Sequence, residues 1–181
     1  TRKAYENFQF HIVYYTLYNF CTVDLSSLYL DVLKDRLYTS GKASKSRRSA
    51  QSAMFIILDA MTRMLAPILT FTAEEVWQSL PAYGGKAASV HLTQFPAVNP
   101  AWADEKLGDT WKTLIAVRGE ISKAMETARK NKVIGHPLDA AVTVTGPEKL
   151  AELLARYEED MRAFCIISGF RVQKGGELKD A

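Results

Sequence analysis

The chain has 181 residues, of which 48% are hydrophobic and 24% charged, with two cysteines and a formal net charge of +3. This length can bury a substantial core, and the composition excludes disordered, collagenous and low-complexity chains. Because both cysteines lie in apolar stretches, a disulfide framework and a cysteine-rich zinc site are excluded, and we expect a reducing, cytoplasmic location.

No apolar run exceeds about six residues, far below the roughly 18–20 that a transmembrane helix needs. We therefore predict that the chain does not cross a membrane. It begins Thr1-Arg2-Lys3, with neither an initiator methionine nor the apolar core of a signal peptide. We expect it to be a piece of a longer protein.

Positive charge is concentrated in two segments although the total is small. Residues 34–48 contain six cations and one anion, a local charge of +5. Residues 118–132 contain five cations and two anions, a local charge of +3. Such segments are typical of a module that binds phosphate groups, and a merely solubilising surface is the alternative.

The first forty residues are predicted to be helical. Two apolar stripes in the first twenty residues indicate a helix buried on two faces within a bundle. Residues 24–27 predict a cap or a kink. A second helix carries the leucines of residues 30–37 and should stop before Gly41.

Two further helices are predicted between residues 50 and 80. The first should end or kink at Pro67, because proline cannot continue a helix without breaking a hydrogen bond. The second is short, starts with a capping box formed by Thr72 and Glu75, and ends before Pro81. A proline- and glycine-rich loop or extended crossover follows.

A long helix is predicted from about residue 104 to residue 132, roughly 40 Å in length. Beyond it the apolar period changes from helical to alternating at residues 141–145, which predicts a strand. One helix after Pro147 and a second strand over residues 165–172 complete a β-α-β unit.

The segment Lys42-Ala43-Ser44-Lys45-Ser46 differs by one residue from the K-M-S-K-S signature with which class I aminoacyl-tRNA synthetases hold ATP phosphates. That site also needs a parallel sheet and an H-x-G-H pair, so that cations and a helix dipole converge on the polyphosphate. The chain has no H-x-G-H, and no strand is predicted before the segment. A chance match is favoured, and no catalytic residue is predicted.

No metal site is predicted either. Metal-binding histidines on one helix or turn are usually three to five residues apart. The three histidines of the chain are far more widely spaced: His11, His91 and His136. Paired carboxylates on the predicted helices lie beside cations and indicate solvated faces rather than an acid and a base.

The first basic segment provides the candidate RNA-binding residues. Lysine and arginine bind phosphates regardless of sequence, and arginine can also bond a base edge in two places and stack on it. We predict RNA contacts from five residues at the end of one helix and the start of the next: Arg36, Lys42, Lys45, Arg47 and Arg48. Six aromatic residues could stack on bases, but their helical spacing favours burial for most: Tyr14, Tyr15, Tyr18, Phe20, Tyr29 and Tyr38.

Several motifs resemble the anticodon-binding helical region of isoleucyl-tRNA synthetases, a class I family. The run N-F-C-x-x-D-L-S-S-x-Y-L-D at residues 19–31 is typical of the isoleucyl type, whereas A-P-I-L-x-F-T-A-E-E-x-W at residues 66–77 is shared with valyl and related enzymes. The resemblance continues through residues 34–38, 47–51, 129–130 and 134–140, so it covers nearly the whole chain.

The resemblance implies a mainly α protein. We expect a helical bundle of the class I anticodon-binding type over residues 1–135 and a small β-α-β appendage over residues 136–181. The expected partner is the anticodon stem and loop of an isoleucine-accepting tRNA, bound by a monomer.

The resemblance also implies a longer enzyme that ligates isoleucine to its tRNA, with ATP and magnesium in a catalytic domain. Such enzymes add an editing domain and usually a C-terminal zinc module, and this sequence carries the motifs of none of them. We therefore expect no catalysis and no cofactor in the chain itself. The alternatives are the corresponding module of a valyl-type enzyme and a helical protein-interaction bundle that does not bind RNA.

Overall fold

The structure is a computed structural model that describes residues 1–175. It divides into two compact units, one spanning Thr1–Asn99 and the other beginning at Pro100. The protein is mainly α-helical, as predicted. The boundary at residue 135 stays a prediction, and residues 176–181 of the predicted appendage lie outside the described residues. Within the described residues, no helix is both long and apolar enough to cross a bilayer.

Helices make up most of the first unit. In chain order they are α1 (Arg2–Glu6), α2 (Phe10–Asn19), a π-helix (Phe20–Tyr29), α3 (Leu30–Tyr38), α4 (Lys45–Leu65) and α5 (Thr70–Ser79), with a 3-10 turn at Val90–Leu92.

The π-helix joins α2 to α3 without a break, where the sequence predicted a cap or kink. The amide of Leu30 closes on the carbonyl of Leu25, five residues back rather than four. Within this stretch the hydroxyl of Thr22 donates to the carbonyl of Tyr18 (2.9 Å). A hydroxyl bonded to the carbonyl four residues earlier competes with the α-helical amide, which favours the wider turn.

The predicted first helix is wrong in two respects. It is interrupted at Phe8, whose φ of +55° ends α1 before α2 begins. Only one face of α2 is buried, through Val13 and Leu17, which pack with Ala4. The other face, on which Ile12 and Tyr15 were expected to be buried, is instead exposed, and three further large side chains of α2 are exposed as well: Phe10, Tyr14 and Tyr18.

The core of the first unit also includes Trp77 of α5, which is fully buried and donates its indole N–H to the carbonyl of Ala87 (2.9 Å). Glu74 accepts hydrogen bonds from the Ser89 hydroxyl (2.7 Å) and from a backbone amide of the same loop. Bonds from Gln78 and Ser89 hold the pKa of Glu74 below its ordinary value. This carboxylate fixes the loop after α5, a role that the prediction of a solvated face missed.

The ends of α4 and α5 agree with the proline signals. Helix α4 stops at Leu65, before Pro67, and α5 stops at Ser79, before Pro81. The predicted capping box is wrong, because α5 already begins at Thr70 and no side chain caps it.

The second unit combines one long helix with a small α/β structure. Its elements are α6 (Glu105–Lys130), β1 (Ala141–Gly146), α7 (Glu148–Arg156), α8 (Glu158–Cys165) and β2 (Gly169–Lys174), with 3-10 turns at Pro100–Trp102 and Pro137–Asp139. The strands pair in parallel, with Ala141 opposite Gly169 and Gly146 opposite Lys174. The predicted long helix and the β-α-β order are confirmed.

Two details of this unit differ from the prediction. The single helix after Pro147 is two helices that meet at Tyr157. Cys165, predicted to start a strand, instead ends α8, and Ile166 follows it with a φ of +56°. Phe164, Cys165 and Ile167 are buried, and the Arg118 guanidinium donates to the carbonyl of Phe164 (2.8 Å). Burial raises the pKa of Cys165 to about 11.

A candidate nucleic-acid interface

A short ordered loop, residues 39–44, connects α3 to α4. At its start the hydroxyl of Thr39 donates to the carbonyl of Asp35 (2.7 Å), which closes the last turn of α3. At its end Ser44 is the N-cap of α4, and its hydroxyl accepts from the amide of Arg47 (3.2 Å). The amide of Ser44 also bonds to the carbonyl of Gly41 (2.9 Å). Both helix ends are therefore fixed by local hydrogen bonds.

Arg47 ties the start of α4 to this loop. Its Nη1 donates to the carbonyl of Ser40 (2.9 Å), seven residues earlier. The side chain is half-buried, and its Nε is buried without a hydrogen-bond partner among the described residues. Arg47 thus positions the loop, whatever it contacts outside the chain.

Lys42, Lys45 and Arg48 are exposed around the same corner. Arg48 makes a long hydrogen bond to the side-chain oxygen of Gln51 (3.3 Å). Over residues 1–175, no carboxylate lies within ion-pair distance of either lysine, and the first turn of α4 contains no acidic residue. These positive charges add to the positive end of the helix dipole, an arrangement that is unfavourable for the helix and favourable for an anion.

Arg36 lies on α3 and is half-buried. Asp31 pairs with Lys34 (2.8 Å), and among the described residues neither Asp31 nor Asp35 forms an ion pair with Arg36. Burial raises the pKa of the Tyr29 phenol, and the positive charge of Arg36 opposes that shift. Arg36 therefore lies near Tyr29, in the last turn of α3.

We call the surface formed by Arg36, Lys42, Lys45, Arg47 and Arg48 the basic corner. The structure brings all five predicted residues to the α3–α4 connection: Arg36 and Arg47 are half-buried, and the other three are exposed. Their contacts with RNA stay predictions.

The prediction that most of the six aromatics are buried is wrong. Tyr14 and Tyr18 stack on the outside of α2 with ring centroids 5.6 Å apart, and Tyr15 is exposed beside them. Tyr38, the last residue of α3, is 83% exposed next to the basic corner. Its place directly before the helix-stop residues was a sequence signal that could have identified it. Only the remaining two are half-buried: Phe20 and Tyr29.

The segment that resembles the ATP-binding signature begins in the loop and ends in the first turn of α4. It connects two helices, and among the described residues no strand precedes it. The three histidines are exposed, and the part of the chain that the structure describes contains no group of three or more side chains able to hold a metal ion.

Residues 1–144 match the family model described as the anticodon-binding domain of tRNA ligase. The chain is 48% identical over 167 residues to an isoleucine–tRNA ligase of Syntrophotalea carbinolica, covering 92% of the chain and 18% of the ligase. It is 46% identical to that of Geobacter sulfurreducens (91% and 18%) and 41% identical to that of Natranaerobius thermophilus (98% and 19%).

The chain thus spans about a fifth of the length of the ligases that it matches. The match includes the basic corner, both long helices and the start of the first strand, so it agrees with the resemblance found in the motifs. On these grounds the chain belongs to the family of anticodon-binding domains of tRNA ligases.

Proposed function

We propose that this chain is the module with which an isoleucine–tRNA ligase binds the anticodon stem and loop of its tRNA, and that the basic corner makes the phosphate contacts. One observation carries the proposal: exposed cations stand at the N-terminus of α4, with no acidic residue in its first turn. A fold-stabilising arrangement would place acidic side chains there instead. The family and the isoleucine-type relatives support tRNA as the anion.

The residues of the basic corner divide into two roles in this proposal. The side chains of Lys42 and Lys45 are exposed and have no hydrogen-bond or ion-pair partner in residues 1–175, so they bind phosphate oxygens and contribute affinity without reading sequence. Arg36 and Arg48 contact a base edge or the nearby backbone. Arg47 presents the loop and contacts RNA with the part of its guanidinium that Ser40 does not use.

Tyr38 extends the corner with an aromatic surface. Bases of single-stranded loops stack on exposed aromatic rings, which contributes about 1–3 kcal/mol per base. Tyr38 lies one residue before the loop and is almost fully exposed, so an unpaired anticodon base can stack on it without a change in the helix.

The isoleucine–tRNA ligase relatives also support a proposal about the whole protein. We propose that the full-length protein ligates isoleucine to its tRNA in the cytoplasm. ATP and magnesium act in its catalytic domain, and zinc is held by a cysteine-rich C-terminal module. We expect the present chain to be monomeric and to show no ATP–pyrophosphate exchange with isoleucine.

The test is the affinity of the chain for isoleucine-, valine- and unrelated tRNAs over a range of salt concentrations. Phosphate contacts give a steep salt dependence, and we expect the isoleucine tRNA to bind most tightly. In the Lys42→Ala/Lys45→Ala variant the affinity should fall by a similar factor for every tRNA, with the log–log salt slope reduced by about 2. Lys112→Ala is the matched control, because this exposed lysine pairs with Asp109 on α6.

The alternatives predict different outcomes. Preference for valine tRNA would assign the module to a valyl-type ligase. Absence of salt-dependent tRNA binding would reject RNA binding and leave a protein-interaction bundle.

A further inference from the structure

The C-terminal end of α6 has an unusual residue at its terminating position. The amide of Lys132 bonds to the carbonyl of Arg129 (3.0 Å), and the amide of Val133 bonds to the carbonyl of Ala128 (2.9 Å), which together form a Schellman motif. Lys132 occupies its left-handed position with a φ of +59°. Glycine is the usual residue there, because a side chain is strained in this conformation.

Two other non-glycine residues end helices in the same way, Phe8 after α1 and Ile166 after α8. Each of those side chains has an internal contact or burial to offset the strain. The ring of Phe8 packs edge-on against Phe10, and Ile166 is half-buried beside the buried residues of α8. Lys132 is exposed, and among the described residues its side chain has no hydrogen bond or ion pair. The strain at Lys132 is therefore not offset by burial or by a side-chain hydrogen bond or ion pair among the described residues.

The side chains around Lys132 are suited to an anion. Lys130, in the last turn of α6, is also exposed and without an ion pair in the described residues. His136 accepts a hydrogen bond from the amide of Leu138 at its Nδ1 (3.2 Å), so its proton is on Nε2, which can donate outward.

The neighbouring acidic groups are already engaged. Asp139 accepts from the backbone amides of Gly135 (3.1 Å) and His136 (2.7 Å), which directs its charge into the loop. Glu126 pairs with Arg129 (2.9 Å). The charge presented to solvent at this helix end is therefore positive.

We propose that the end of α6 is a second phosphate-binding site for RNA, in which Lys130 and Lys132 bind phosphate oxygens and the Nε2–H of His136 donates to a third. The choice of RNA rests on the function proposed above. Strained residues without an internal role are characteristic of ligand sites, and here the left-handed backbone sets the direction in which the Lys132 side chain leaves the helix end.

A stabilising role in the helix is the competing explanation, because cations near a helix C-terminus interact favourably with its dipole. The two explanations predict different effects of one substitution, Lys132→Gly, on stability and on RNA binding. If Lys132 serves only the helix, Lys132→Gly gains little or loses stability and leaves RNA binding unchanged. If it serves RNA, the same change relieves the strain and weakens binding.

The experiment measures tRNA affinity, its salt dependence and the Tm for Lys132→Gly and Lys132→Arg. For Lys132→Gly we expect a Tm about 2 °C higher, an affinity about fivefold lower, and a salt slope reduced by about 1. Lys132→Arg keeps the charge and should bind tRNA as the wild type does. Lys106→Gln removes a charge from the exposed first turn of the same helix and is the control for net charge.

The outcomes separate the two proposals. If Lys42→Ala/Lys45→Ala weakens tRNA binding while Lys132→Gly binds as tightly as the wild type, the function stands and the second site is refuted. Loss of affinity in Lys106→Gln equal to that in Lys132→Gly also refutes it. If the unmodified chain does not bind tRNA, both proposals fall.

Discussion

The start of α4 and the end of α6 both carry exposed lysines, but these two helix ends have opposite polarity. At the start of α4 the lysines add to a positive end of the helix dipole, and at the end of α6 they face a negative one. The start of α4 is held by side chains, Ser44 and Arg47, whereas the end of α6 is closed by backbone bonds alone. A lysine should therefore destabilise the helix at the start of α4 and stabilise it at the end of α6.

The largest expected effect on stability is at Arg47. Arg47→Ala removes the charged hydrogen bond to Ser40 and should lower the free energy of unfolding by about 2 kcal/mol, a fall in Tm of about 6 °C. The matched change at the end of α6 is Arg129→Ala, which breaks an exposed ion pair with Glu126. This change should lower the free energy of unfolding by only about 0.3 kcal/mol. Urea unfolding measures both. Equal losses would show that side chains do not hold the two ends differently.

A smaller effect is expected at the cap of α4. Ser44→Ala removes the acceptor for the Arg47 amide and should lower the free energy of unfolding by about 1 kcal/mol. Ser52→Ala is the control, because Ser52 lies within α4 and, among the described residues, its hydroxyl bonds only to the Arg48 carbonyl, so alanine should be close to neutral. Thermal unfolding of the two variants measures the difference between these losses. A neutral Ser44→Ala would mean that the loop does not depend on its cap.

The smallest expected changes in stability test the polarity of the two helix ends most directly. Lys45→Glu places a negative charge at the start of α4 and should raise the free energy of unfolding by about 0.5 kcal/mol. Lys130→Glu makes the same exchange at the end of α6 and should lower it by about 0.5 kcal/mol. Differential scanning calorimetry at low salt should show Tm shifts of opposite sign that shrink in high salt. Shifts of the same sign would contradict the dipole argument.

Sequence signals predicted the elements whose ends are determined locally. Pro67 and Pro81 cannot continue a helix, and Asp104 caps α6 with its own carboxylate, so these ends could be read from neighbouring residues. The exposure of Tyr14 and Tyr18 could not be predicted from the sequence, because apolar periodicity shows that a face is apolar but not what covers it. Cys165 was misassigned for a similar reason: a short apolar run fits a strand or the buried end of a helix.

The five residues of the basic corner were found from charge and from the family motifs, but their different structural roles were not. That Arg47 anchors Ser40 depends on the path of a six-residue loop, residues 39–44, which propensities do not specify. The second cluster, at the end of α6, was visible as charge. Its distinguishing feature is a backbone angle at Lys132, and nothing in the residue type predicts that angle.

The π-helix changes the phase of the long helix that contains it. Along a continuous α-helix, Leu17 and Leu33 are sixteen positions apart and would point about 160° away from each other. A π turn holds about one extra residue, so roughly two such turns remove about 200° of rotation. Leu33 then returns to within about 40° of Leu17, consistent with the burial of both leucines. The π-helix therefore rotates α3 relative to α2, so that the buried leucines of these two helices point to nearly the same side, although no residue of the π-helix itself is buried.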